Sequence, residues 1–241
     1  MTALTILSPG SLGPLLPQLI EQTTDDYQVI QGPSGQLRQR IEAGQSFDLF
    51  FSTHLDHCQS LRAQDLLSDY APLGLNETVL VAQRSIWQAH ADLRSFLEAA
   101  KGLSISTTGM LAESNETPEI LSNLARFLNQ PMSLINHRIR RITGGRETPN
   151  APVGRDQYGW IMEHEGVDAL FTYLSNALVT VKDNPELTII RLPIELRVQG
   201  TYGIGIHKHP RPDVLTLYRW FLGLDAAEML RRFGFSQHAD R

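Results

Sequence analysis

The residues in this chain best placed to do chemistry are serines in small-residue turns. In "LTILSPGSLGPLL" (Leu4 to Leu16) a strand-like apolar run leads into a turn carrying Ser8 and Ser11, and a helical pattern follows. In "GPSGQLRQRIEAGQSFDLFFST" (Gly32 to Thr53), Ser34 sits where a helix N-cap belongs, with Leu37 and Ile41 four apart behind it and Gly44 as the stop. A helix start offers free backbone N–H groups and the positive end of its dipole. A serine hydroxyl adds a neutral donor, and glycine lets a ligand approach the backbone. The chemistry this allows is the cradling of a small anion. Plain helix capping is the competing reading of each serine taken alone.

These turns need elements to hold them, and the first third of the chain supplies strands alternating with helices. "LTIL", "YQVIQ" and "FDLFFS" read as strands, with helices near Leu15 to Gln22 and Gln36 to Ala43 between them. Such alternation predicts a mostly parallel sheet with right-handed crossovers, in which ligands sit at the carboxyl ends of the strands. Pro17 lacks an N–H and crowds Gly13, so the first helix is expected to kink or begin late. Further strands are expected at "ETVLVAQ" (Glu77 to Gln83), "GLSIS" (Gly102 to Ser106), "VDALFTYL", "LTIIRLP" and "TYGIGIHK". Thr117 and Pro118 signal the start of the helix "EILSNLARFL", "NHRIRRITGGRETPNAP" reads as a loop, and a helix follows near Arg155 to His164. The chain closes with the helices "VLTLYRWFLGL" and "DAAEMLRRFGF", the second stopped by Gly234.

Composition bounds the function classes. The 241 residues suffice for one large domain or two lobes, and 20% charged with 41% hydrophobic residues is ordinary globular composition. A net charge of -5 argues against nucleic acid as a partner, so any anion site is local. A single cysteine, Cys58, rules out an intramolecular disulfide, and no apolar run approaches a membrane span. "MTALTILSPG" shows no leader pattern. The expected address is therefore the cytoplasm if Met1 is the native start, or the periplasm if a signal was removed.

The quoted stretches, with "LNETVLVAQR", "VDALFTYLSNA", the tyrosine of "TYGIGIHK" and "FLGLDAAEMLRRFGF", stand in the same order as in the molybdate-binding proteins. The chain thus resembles the type II periplasmic substrate-binding proteins of ABC transporters, from about Leu4 to Phe235. The resemblance implies an α/β, two-lobe Venus-flytrap fold, each lobe a mixed, mostly parallel sheet flanked by helices. It implies lobe one at 1–82 plus 198–241 and lobe two at 83–197, with "TVLVAQ" and the region of "PIELRVQG" as crossings. It further implies an oxyanion of the molybdate or tungstate type held by Ser11, Ser34 and Tyr173, with Arg155 at the position that offers a helix-start amide. Ser8 stands beside the first serine. Where the family has a Pro-Ala-Gly turn, this chain reads "STTGMLAESNETPE", with Thr107, Thr108 and Ser114 as substitutes. The implied partners are a small anion and an ABC permease, with no cofactor and no catalytic group, and the expected state is a monomer.

Several features point elsewhere or nowhere. A guanidinium at Arg155 can pair bidentately with a carboxylate, sulfate or phosphate, which would redirect the ligand from molybdate; a surface salt bridge is its plainer use. Arg138, Arg140, Arg141 and Arg146 could form an anion-attracting rim or simply a solvated surface. His54, His57 and Cys58, with His207 and His209, lack the two clear pairs of a structural zinc site, and His54 and His57 are expected to face solvent. No phosphate loop, nucleophile elbow or nucleophile-base-orienter set is present. A cytoplasmic sensor or storage protein for an oxyanion or small carboxylate is the first alternative function, and an enzyme on the same scaffold the second.

Overall fold

The computed structural model describes residues 3–21, 26–106, 119–143 and 150–236. The chain divides into two compact units, Met1–Asn76 with Gln199–Arg241 and Glu77–Val198. Unit 1 begins with β1 (Leu4–Ser8), a 3-10 turn (Gly10–Leu12), α1 (Leu16–Ile20), β2 (Tyr27–Gln31), α2 (Ser34–Glu42), β3 (Leu49–Ser52) and α3 (Leu55–Ala63). The long strand β4 (Leu67–Gln83) carries the chain into unit 2. There follow α4 (Arg84–Gln88), α5 (Leu93–Ala99), β5 (Leu103–Ser106), α6 (Glu119–Leu128), α7 (Met132–Arg138), β6 (Ile139–Thr143), α8 (Gln157–His164), β7 (Ala169–Tyr173), α9 (Leu174–Asp183) and β8 (Leu187–Arg191). Unit 1 is then completed by β9 (Gln199–His207), α10 (Pro212–Phe221) and α11 (Leu224–Arg232). No helix among the described residues is long and apolar enough to cross a membrane.

In unit 1 the strands run β2-β1-β3-β9, with β1 parallel to both of its neighbours and β9 antiparallel to β3. The mixed α/β architecture follows from the alternating apolar runs, and helices cover the sheet because only their striped faces can bury it. α2 shows how: Leu37 and Ile41 lie on one face against Leu7, Phe50 and Leu61, and Gly44, at φ 93°, ends the helix in the left-handed region. Burying each such side chain contributes about 2 kcal/mol. α1 begins late, at Leu16, with Pro17 in its first turn and the 3-10 turn occupying the residues before it.

Unit 2 is also mixed: β4 pairs antiparallel with β7 and β8, while β5 runs parallel to β6 and β7. Its main core joins Leu80, Phe96, Leu103, Leu121, Leu124 and Phe171. The backbones of Gly102 and Gly166 approach so closely that a Cβ on Gly102 would lie 2.5 Å from the Gly166 carbonyl oxygen. The Asp168 carboxylate fastens the same corner by accepting from the amides of Lys101 (2.8 Å) and Gly102 (3.1 Å). Where the chain leaves unit 2, Val198 and Thr78 bond each other twice, amide to carbonyl at 2.8 Å and amide to hydroxyl at 2.9 Å.

Two sequence expectations are corrected. The strand expected from Glu77 begins ten residues earlier, at Leu67, because Pro72 and Gly74, which punctuate turns in most contexts, are accommodated within the extended strand. The basic stretch read as a loop contains the end of α7 and all of β6. β6 pairs with β5, so the ladder overrides a segment whose arginines hide the apolar alternation. Arg138 reaches the carbonyls of Leu97, Glu98 and Ala100 at the end of α5, and Arg140 pairs with Glu165. Those two cations serve the fold of unit 2. Arg146, Thr117 and Pro118 lie outside the described residues.

Candidate functional site

The first turn of unit 1 follows β1. The Ser8 hydroxyl is fully buried and donates locally to the Pro9 carbonyl at 3.2 Å. Ser11, in the 3-10 turn, is also buried, with its Oγ 2.8 Å from the Tyr202 hydroxyl. Tyr202 shares one face of β9 with Ile204 and Ile206, both faces of the strand being buried from Tyr202 to Ile206, and its ring packs edge-on to Phe235. A buried tyrosine hydroxyl requires a polar partner, and Ser11 is one.

The second turn follows β2. Ser34 is the first residue of α2 and Pro33 occupies the N-cap, so the capping expectation for Ser34 is corrected. The reason is tertiary: the Ser34 Oγ accepts the backbone N–H of Thr53 at 3.0 Å and lies 3.2 Å from the Thr53 Oγ1. The first intrahelical bond runs from the Leu37 N–H to the Pro33 carbonyl. The N–H groups of Gly35 and Gln36 therefore have no acceptor among the described residues, as a helix start demands. Gly35 is buried beside them.

Strand register brings the two turns together within unit 1. Ser8 is opposite Gln31, the Gly32 N–H donates to the Ser8 carbonyl at 3.2 Å, and β3 flanks β1 on its other side. The carboxyl ends of three adjacent parallel strands thus carry Ser11, Ser34 and Thr53, with Tyr202 reaching in from β9. Open α/β sheets bind ligands at such ends. The set is one of neutral donors and helix-start amides, chemistry suited to desolvating and holding a small anion without transferring a proton.

Unit 2 holds the other sequence candidates. Tyr173 is buried at the end of β7, where it occupies the N-cap position of α9, and burial pushes its hydroxyl pKa upward, which keeps it neutral. Around it Thr172, Ser175 and Asn176 are buried, and the Asn176 side-chain amide donates to the Tyr158 hydroxyl at 3.1 Å and the Thr172 hydroxyl at 3.3 Å. The Arg155 expectation is corrected: its amide donates to the Pro152 carbonyl at 3.0 Å, and Asp156, not Arg155, caps α8 by accepting from Gly159 at 2.7 Å. Burial raises the Asp156 pKa. The Arg155 guanidinium pairs with Glu163 at 2.8 Å, both exposed, along a shallow cavity of about 340 Å³ that Trp160 and His164 also line. Thr107, Thr108 and Ser114 lie outside the described residues.

A family model for bacterial extracellular solute-binding proteins matches residues 4–236. The chain belongs to the bacterial extracellular solute-binding protein family. An uncharacterized protein of Pasteurella multocida (strain Pm70) is 26% identical over 189 residues, which cover 78% of each chain. Among solved structures, the periplasmic molybdate-binding protein of Azotobacter vinelandii superposes with a TM-score of 0.71 at 16% identity, covering 98% of this chain and 99% of its own. PEB3 of Campylobacter jejuni with L-phospholactate bound gives 0.67 at 15% identity, with 98% and 100% covered. At such identities these likenesses show the fold: this solute-binding protein has the two-lobed periplasmic binding-protein architecture.

Sequence reasoning did not single out Thr53 as a site residue, and Tyr202 entered it as the tyrosine of the strand-like "TYGIGIHK" within the resemblance, without a role at the site. For Tyr202 the signal was present, since a buried tyrosine on a strand needs a hydroxyl partner. For Thr53 the signal was its place just after a buried strand, level with the serine turns.

Proposed function

We propose that this solute-binding protein captures a small oxyanion of the molybdate or tungstate type and presents it to the permease of an ABC importer. The observation that carries the reading is the cluster of buried neutral donors at the carboxyl ends of β1, β2 and β3. Ser11 and Ser34 are the proposed ligand contacts of unit 1, and Tyr173 is kept as the candidate donor of unit 2. A buried anion is tolerable only when its oxygens are hydrogen-bonded, and several neutral dipoles can meet that demand together. Two of the similar structures are named for anionic solutes, molybdate and L-phospholactate, which supports the reading. The engagement of the Arg155 guanidinium with Glu163 and of its amide with Pro152 favours a site without a cation, and hence molybdate chemistry over a carboxylate clamp.

A thermal-shift titration with molybdate, tungstate, sulfate, phosphate and small carboxylates tests this. A ligand at a hundred times its Kd stabilises the native state by about 2.7 kcal/mol, a rise of roughly 5–10 °C for a chain of this size. A shift with molybdate and tungstate is expected. A flat response to every oxyanion, with a shift for a carboxylate, would overturn it.

A further inference from the structure

We infer that Phe235 is a positioning residue for the candidate site of unit 1: its ring fixes where the Tyr202 hydroxyl stands, and that hydroxyl orients Ser11. The inference rests on the reading above that Ser11 meets the anion. Tyr202 and Phe235 are both buried, and their rings meet in a T-shaped pair with centroids 5.0 Å apart and planes at 89°. Such a pair has a preferred geometry, so the phenylalanine limits where the tyrosine ring settles. At the far end of that ring the hydroxyl lies 2.8 Å from the Ser11 Oγ. A serine side chain has three staggered rotamers, and a hydrogen bond of this length favours one of them.

Phe235 is held in turn by its backbone neighbours. Gly234, at φ 83°, turns the chain away from the end of α11, and Leu75 and Ser236 then exchange both of their N–H to carbonyl bonds, at 2.8 and 2.9 Å, as an antiparallel bridge. Gly74 makes room for it: a Cβ there would lie 2.9 Å from the Ser236 carbonyl oxygen and 3.6 Å from the Phe235 Cδ1. The bridge is isolated, so it depends on this close approach of two backbones rather than on a continuous ladder. Two contacts thus lead from β4 to the hydroxyl that meets Ser11, Leu75 to Ser236 and Phe235 to Tyr202, all of them within unit 1. Burial alone asks only for an apolar side chain at 235. Leucine would meet that demand, but it has no ring to set against Tyr202.

The test is calorimetric titration of molybdate, at a temperature where every variant is folded, on the wild-type chain, Phe235→Leu, Tyr202→Phe and the double variant, with urea unfolding of the same proteins. In the wild-type background Phe235→Leu is expected to weaken molybdate binding about three- to tenfold, from the release of the serine rotamers at the low end to a weakened hydrogen bond at the high end. In the Tyr202→Phe background no hydroxyl remains to be placed, and Phe235→Leu should leave the affinity within about twofold. Unfolding needs no ligand: the loss of midpoint caused by Tyr202→Phe should shrink by about half or more once residue 235 carries no ring. A purely structural Phe235 would lower the midpoint equally in both backgrounds and leave the affinity alone. Additive midpoints, an unchanged affinity, or the same affinity loss in both backgrounds therefore overturns the inference. Should Phe235→Leu fail to fold, Gly74→Ala, which presses on the Ser236 carbonyl and keeps both rings, is expected to give the same pattern. A wild type that binds neither molybdate, tungstate, sulfate nor phosphate defeats the oxyanion reading and the affinity half of the inference with it, while the unfolding cycle still decides whether Phe235 places the Tyr202 hydroxyl.

Discussion

Ser34→Ala separates a structural from a binding role for the second turn. In the free protein it removes the acceptor of the buried Thr53 N–H, 3.0 Å away, and the partner of the Thr53 hydroxyl. An orphaned buried donor costs about 1–3 kcal/mol, offset by a few tenths for alanine's better helix propensity. Near 2 kcal/mol, this lowers the melting temperature by about 4–8 °C for a chain of this length. With ligand present a second loss appears: a hydroxyl bonded to an anion contributes about 1.5–3 kcal/mol, or roughly a 10- to 100-fold weaker Kd. The assay is a thermal melt without ligand, followed by calorimetric titration of molybdate at a temperature where the variant is folded. A lower melting temperature with unchanged affinity would refute the binding role and leave Ser34 as a brace for Thr53. No change in either quantity would refute the hydrogen-bond argument as well.

Tyr202→Phe removes the hydroxyl that meets Ser11 while keeping the ring against Phe235, so a loss of about 1–2 kcal/mol in stability is expected from chemical denaturation, and an unchanged midpoint would count against this pairing. Gly102→Ala places a methyl 2.5 Å from the Gly166 carbonyl oxygen, backbone against backbone, and should destabilise by about 1–3 kcal/mol; a melt within a degree of wild type would contradict that close approach. His57 is half-buried, and burial first, then the charges of Arg38 and His54, lower its pKa from 6.5 to about 4. The folded state thus binds its proton less readily than the unfolded one, so stability falls as pH drops from about 6.5 to 4 and levels off below. His57→Gln should flatten that slope by about 1–2 kcal/mol, discounted for the exposed part of the ring, as read from unfolding at pH 7 and pH 4; equal slopes would refute it.

The amino-acid sequence by itself determined the local events. Leu37 and Ile41 set the buried face of α2 and Gly44 its end, Pro17 delayed α1, and the apolar run "TYGIGIHK" marked β9. Each depends on residues within a turn or two, where periodicity, capping and proline sterics act. The serine turns were legible for the same reason. Tertiary structure decided what those turns became. β6 took its extended form from its ladder with β5, and Ser34 exchanged a cap for a bond to Thr53, 19 residues away. Ser11 met Tyr202 across 191 residues because the order β2-β1-β3-β9 returns the last strand of the chain to the first sheet. Arg155 gave its amide to a local turn and its charge to Glu163, one helix away. A side chain's polar partner depends on which strand ends lie side by side, and strand order is set by burial of the whole core rather than by any segment's own pattern.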